Sequence, residues 1–183
     1  MKNAHDTLLT PRLELRRFTP DDLDLLCRLQ SDREVMRYVG GVKSRADTEV
    51  FLNERVLDYY MQYPGMGVWA TIERATGACI GHHLLNHIRG ESIVQVGYVL
   101  FSEYWGRGYA TEMCIRLLRY GFSELGLGRI AGITDLPNVD SQRVLLKAGL
   151  MRNGERVFAA YGSAPLAWFE RDAVSWLAGA GDI

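Results

Sequence analysis

Nine consecutive residues, Tyr104-Trp105-Gly106-Arg107-Gly108-Tyr109-Ala110-Thr111-Glu112, bring together the residue types that hold phosphate. They stand between an apolar run at 93–101 and a helical pattern from 110 to about 125. A strand therefore feeds a glycine-rich turn that opens directly into a helix. The first N–H groups of such a helix have no acceptor within it, and the positive end of its dipole lies behind them. Glycines let an anion approach the main chain closely, so the turn reads as a phosphate or pyrophosphate site. Arg107 is either a solvated charge or a charge-assisted contact to that anion.

A second polar segment follows the next predicted strand: Asn138-Val139-Asp140-Ser141-Gln142-Arg143, running on to Lys147-Ala148-Gly149-Leu150. Asn138 and Ser141 sit where a short helix begins, and either is suited to cap it. Groups able to move a proton are scattered. Glu103 follows the strand before the turn, Glu112 lies on the polar face of the helix, and Asp135 ends the next strand. His82 and His83 point to opposite faces of their strand, so one of them can line a cleft. His83 and His87 share a face, but two histidines without a third ligand do not define a metal site.

The elements that must position these residues follow from periodicity and punctuation. Residues 13–16 alternate apolar and polar as a half-exposed strand does. Thr19-Pro20-Asp21-Asp22 supplies an N-cap, a first-turn proline and first-turn acids for a helix. A second helix spans 44–63 and ends at Pro64-Gly65. Residues 68–73, 79–86 and 92–101 read as three consecutive strands joined by short turns, which predicts antiparallel pairing. The helix opened by the turn leads to a strand at 129–134, which the intervening helix makes a parallel neighbour of 92–101. A short helix at 141–148 and strands near 151–159 and 166–173 complete the order. The expectation is a mixed, mostly antiparallel α/β (α+β) sheet of about seven strands flanked by four helices.

Bulk properties narrow the field. At 183 residues, with 48% apolar and 23% charged residues, the chain is long enough for one domain, 1–183, with a substantial core. A net charge of −1 gives no footprint for nucleic acid or an anionic membrane. Three widely spaced cysteines, Cys27, Cys79 and Cys114, read as buried hydrophobes in a reducing compartment. With no signal-like leader and no span-length apolar stretch, the expected location is cytoplasmic.

Taken together, the turn and the Asn138 segment resemble the GNAT superfamily of acyl-CoA N-acyltransferases. The acetyl-CoA turn of that family follows Gln/Arg-x-x-Gly-x-Gly/Ala. Gly108 and Ala110 fill its small positions here, and Trp105 stands for the Gln/Arg. The form Tyr104 to Glu112 is most similar to the RimJ/RimL-type branch. Gly97-Tyr98 in the preceding strand and the opening Thr10-Pro11-Arg12-Leu13-Glu14-Leu15-Arg16 also match that branch. Its Asn-x-x-Ser-to-Lys-x-Gly segment is met by Asn138, Ser141, Lys147 and Gly149, one residue short of the usual spacing to Lys.

The resemblance implies transfer of an acetyl group from acetyl-CoA to a primary amine by direct attack in a ternary complex. It implies CoA contacts from Val99, Leu100, Phe101, Gly106, Arg107, Gly108, Tyr109, Ala110, Thr111, Asn138 and Ser141, with a backbone N–H among the first three polarising the carbonyl. It implies further that Ser141 protonates the departing thiolate. Many relatives carry an acid where this chain has Gln95, which cannot ionise; Glu103 is the acid nearest the turn. The acceptor is expected to be a protein N-terminal amine or a small amine, bound by a monomer or homodimer. Tyr38, Tyr59, Tyr60, Tyr63, Trp69 and Tyr104 supply aromatic surface divided between core and acceptor pocket. Two other functions share some of these features: a non-catalytic acyl-CoA sensor, and a dinucleotide-binding oxidoreductase, whose strand order differs.

Overall fold

The computed structural model describes residues 7–179. The chain runs β1 (Thr7–Leu9), β2 (Leu13–Arg17), α1 (Leu23–Ser31), α2 (Arg45–Val50), α3 (Asp58–Gln62), β3 (Gly67–Glu73), β4 (Cys79–His87), β5 (Val94–Leu100) and α4 (Tyr109–Arg119). It continues through β6 (Arg129–Asp135), α5 (Val139–Lys147), β7 (Met151–Arg156), β8 (Leu166–Asp172) and α6 (Ala173–Gly179). The strands form one open mixed sheet in the order β1-β2-β3-β4-β5-β6-β8-β7. By backbone proximity the described residues divide into two compact units, 7–84 with Tyr98–Tyr109, and Leu85–Gly97 with 110–179.

The first unit begins with a hairpin. β1 and β2 pair antiparallel, and the corner Thr10-Pro11-Arg12-Leu13 closes when Thr10 N–H donates to the Leu13 carbonyl at 2.9 Å. Proline presets the dihedral that the second residue of such a turn requires. Alternation in β2 buries Leu13 and Leu15 opposite Glu73 and Thr71 of β3. Thr19 is the expected N-cap, its N–H donating to the Asp22 carboxylate at 2.8 Å, but of a single 3-10 turn, Pro20–Asp22, that precedes α1. Arg16 grips the Asp22 carboxylate with two bonds of 2.8 and 2.6 Å. Ser44 caps α2, its hydroxyl accepting the Asp47 N–H at 3.1 Å. The single helix expected at 44–63 is realised as α2 and α3 joined by wider turns at Phe51–Leu57. α1, the Phe51–Leu57 turns and α3 bury Leu26, Leu52, Val56 and Tyr60 against Phe18, Val68 and Ala70.

In the second unit β5 and β6 pair in parallel at Gln95↔Ala131, as the strand–helix–strand order requires. β8 lies antiparallel between β6 and β7. Ile88, Ala131, Phe158, Leu166 and Trp168 form a core cluster here. At Gly132 of β6 an added Cβ would stand 2.8 Å from Leu145, so the glycine admits the close approach of α5.

The element count exceeds expectation by one strand and by the helices. The extra strand is β1, too short for periodicity to register. The strand expected to reach residue 173 stops at Asp172. There the Asp172 carboxylate accepts the Ser175 N–H and hydroxyl at 2.8 and 2.7 Å and starts α6. Trp176 of α6 is buried, its ring stacked near Phe122 at 5.8 Å. The strand expected at 151–159 ends at Arg156, and a short 3-10 turn follows at Ala159–Tyr161.

Candidate active site

β5 ends at the turn in an ordered way. The Phe101 N–H donates to the Ile80 carbonyl at 3.0 Å, so it faces β4. Backbone groups of successive strand residues point to opposite edges, which puts the Val99 N–H on the same edge and Leu100 on the other. The Leu100 carbonyl accepts the Trp105 indole N–H at 2.8 Å. Trp105 thus ties the turn back to the strand end, a task for which its lone N–H suffices. A 3-10 turn, Ser102–Tyr104, carries Glu103 with its side chain in solvent.

Gly106 and Gly108 have φ of 73° and 78°, the left-handed region that favours glycine. A Cβ at Gly106 would meet nothing within 4 Å, so the space over the turn is open to a ligand. Both glycines and Arg107 are exposed, and α4 begins at the next residue. Open, left-handed backbone leading into an 11-residue helix fits a phosphate group. The Arg107 guanidinium leans over the Tyr104 ring, 5.3 Å from its centroid.

Beneath the turn lies a network that sequence reasoning missed. Tyr109, expected among the CoA contacts, is buried, and its hydroxyl donates to the Glu73 carboxylate. That bond, with a second from the Thr76 hydroxyl at 2.7 Å, holds the Glu73 carboxyl below its ordinary range. The same bond raises the Tyr109 phenol. The Arg12 guanidinium covers the Tyr109 ring at 4.6 Å and donates from Nη1 to the Arg107 carbonyl at 2.9 Å. Arg74 in turn holds the hairpin corner, donating from Nη1 to the Thr10 and Pro11 carbonyls at 2.8 and 3.1 Å. The only sequence signal was Arg12 within the opening motif, which gave no hint of its destination.

His82 and His83 of β4 are both buried. His82 is buried between Phe18 and Phe51, with no partner for Nδ1, and burial pushes its pKa down to about 4. His83 is fully buried and shares a 2.7 Å bond with Thr71. Among the aromatics, Tyr60 and Trp69 belong to the core. Tyr38, Tyr59, Tyr63 and Tyr104 keep partial exposure.

In the second unit, Asn138 settles the question of the cap. Its side-chain oxygen accepts the Ser141 N–H at 3.2 Å, and α5 starts at Val139 rather than at Ser141. Ser141 is therefore a first-turn residue and not the cap, and it is half-buried. Asp135 ends β6, and burial raises its carboxyl pKa. Gln95 is buried and donates from Nε2 to the Asn86 side-chain oxygen at 3.4 Å, a neutral pairing. Ala110 and Thr111 form the half-buried first turn of α4.

Comparison with known proteins gives the family. Residues 12–151 match the model described as "Acetyltransferase (GNAT) domain". An uncharacterized N-acetyltransferase of Bacillus subtilis, YnaD, is 32% identical over 148 residues, covering 80% of this chain and 84% of its own. The FsC-acetyl coenzyme A-N(2)-transacetylase of Aspergillus fumigatus is 29% identical over 171 residues, covering 88% and 72%. A GNAT-family acetyltransferase from Bacillus anthracis superposes with a TM-score of 0.76 at 26% identity, covering 92% of this chain and 99% of its own. The chain belongs to the GNAT acetyltransferase family. It is an enzyme of that class, with acetyl-CoA as the acyl donor. No helix among the described residues is long and apolar enough to cross a membrane.

Proposed function

We propose that this chain is a single catalytic domain of the RimJ/RimL-like type that acetylates a primary amine by direct attack within a ternary complex. The observation that carries the donor half is the open, left-handed turn at Gly106 and Gly108 leading into α4. On this reading Gly106, Arg107, Gly108, Tyr109, Ala110 and Thr111 hold the pyrophosphate, Tyr109 acting through its backbone. Val99, Leu100 and Phe101 lie along the pantetheine, and Asn138 contributes through the helix start it organises.

The chemistry assigns work to few groups. A neutral amine attacks the thioester carbonyl, a C–N bond forms, and the C–S bond breaks to release the CoA thiolate. The developing oxyanion needs a fixed donor; Leu100 N–H is the candidate, because the N–H groups of Phe101 and Val99 face β4. The thiolate needs a proton, which the Ser141 hydroxyl relays from water, giving its own and regaining one. The amine is mostly protonated near neutral pH and must lose a proton. Glu103, exposed beside the turn, receives it through water. Holding both reactants in place provides much of the rate, so a weak base suffices.

The acceptor is a primary amine. The RimJ/RimL resemblance supports a peptide N-terminal α-amine, and a small amine is the second acceptor class. Thiol release from acetyl-CoA, measured against parallel panels of peptides with free N-termini and of small amines, tests the proposal. Turnover confined to one panel assigns the acceptor; CoA binding without turnover on either would overturn the transferase mechanism described here.

A further inference from the structure

We infer that Arg12, at the corner of the first hairpin, is a positioning residue for the donor site, clamping the Arg107–Gly108 peptide so that its N–H faces the ligand. The inference rests on the reading of residues 106–111 as the pyrophosphate turn. A trans peptide is planar, and its C=O and N–H point in opposite directions. With the Arg107 carbonyl held by Arg12 Nη1 at 2.9 Å, the Gly108 N–H is directed away from the guanidinium. That peptide ends on Gly108, whose φ of 78° and lack of a Cβ lower the barrier to a flip. A flipped peptide would present a carbonyl oxygen to an anion.

The clamp is itself held on three sides. The corner that carries Arg12 is fastened by Arg74 to the Thr10 and Pro11 carbonyls. The Arg12 backbone carbonyl accepts the Arg74 N–H at 2.9 Å. Its guanidinium rests on the Tyr109 ring, whose hydroxyl is anchored on Glu73. These residues line a hollow of about 390 Å³ that leaves the guanidinium in solvent. Arg12 can therefore be replaced without opening a core, and its role separates from stability.

Calorimetric titration of the full chain with CoA and, separately, with pantetheine, which lacks the pyrophosphate, tests the clamp. Arg12→Met is expected to weaken CoA about tenfold while changing pantetheine less than about twofold, with Arg12→Lys recovering part of the loss. Tyr109→Phe keeps the ring but frees it from Glu73, and is expected to weaken CoA by about threefold with the same selectivity. Equal CoA affinity in wild type and Arg12→Met overturns the inference. So does a parallel loss of CoA and pantetheine, or failure of the variants to fold, since either makes the contacts merely structural. A wild-type chain that binds pantetheine but gains nothing from the pyrophosphate overturns the reading of the turn itself, a result distinct from either of these.

Discussion

At the scale of single residues, the proposed roles make separable demands. Gly108 needs φ near 78° and a bare Cα beside Arg12, whose Nη2 would lie 3.5 Å from an added Cβ. Gly108→Asp places a carboxylate there, where it strains the backbone and pairs with Arg12. CoA affinity should fall by about a hundredfold or more, given the cost of strain plus like-charge repulsion of phosphate. The free protein should keep its fold and lose about 1 kcal/mol of stability to the left-handed backbone. Ser141→Ala tests the proton delivered to the thiolate: kcat should fall by about a hundredfold with the KM for acetyl-CoA little changed. A drop in affinity without a drop in kcat would instead make Ser141 a binding residue. Asn138→Ala removes the α5 cap and should cost about 1 kcal/mol in denaturant unfolding.

Elements explain where the sequence was readable and where it was not. The strand–turn–helix at β5 and α4 was legible because an apolar run, two glycines and a helical stripe agree with one another. The start of α5 was placed too late because Asn138 and Ser141 are both competent caps, and only the folded backbone chooses between them. α6 went unseen because its start depends on Asp172 within a strand pattern and its burial on Trp176, a contact made far from the helix in sequence. β4 carries the clearest element-level consequence. His82 is locked in neutral form between Phe18 and Phe51, with its pKa lowered by burial to about 4. The unfolded chain has an ordinary histidine there, so between about pH 6.5 and 4 the unfolded state binds the extra proton. Stability is full above that window and should decline within it by about 1.4 kcal/mol per pH unit at most. Urea unfolding at pH 7 and pH 5 measures the decline, and His82→Leu should flatten it.

The whole molecule combines a donor half that the sequence announces with an acceptor half that it does not. Donor binding reuses backbone geometry, which glycines and capping residues betray in a linear sequence. On the proposed reading, acceptor binding draws on those of Tyr38, Tyr59, Tyr63 and Tyr104 that turn their rings outward, which composition alone does not say. Since CoA binds only the folded chain on the proposed reading, it should stabilise that chain by about 2.7 kcal/mol at a concentration a hundred times its dissociation constant. Melting curves across a CoA titration measure this directly. The bond from Arg12 to the Arg107 carbonyl joins positions 95 residues apart. A chain shortened past its first hairpin has every glycine of the turn yet lacks the brace that aims them. Competence to take up the donor should therefore arrive late in folding, after secondary structure, and stopped-flow refolding should show CoA binding lagging behind the recovery of helical signal.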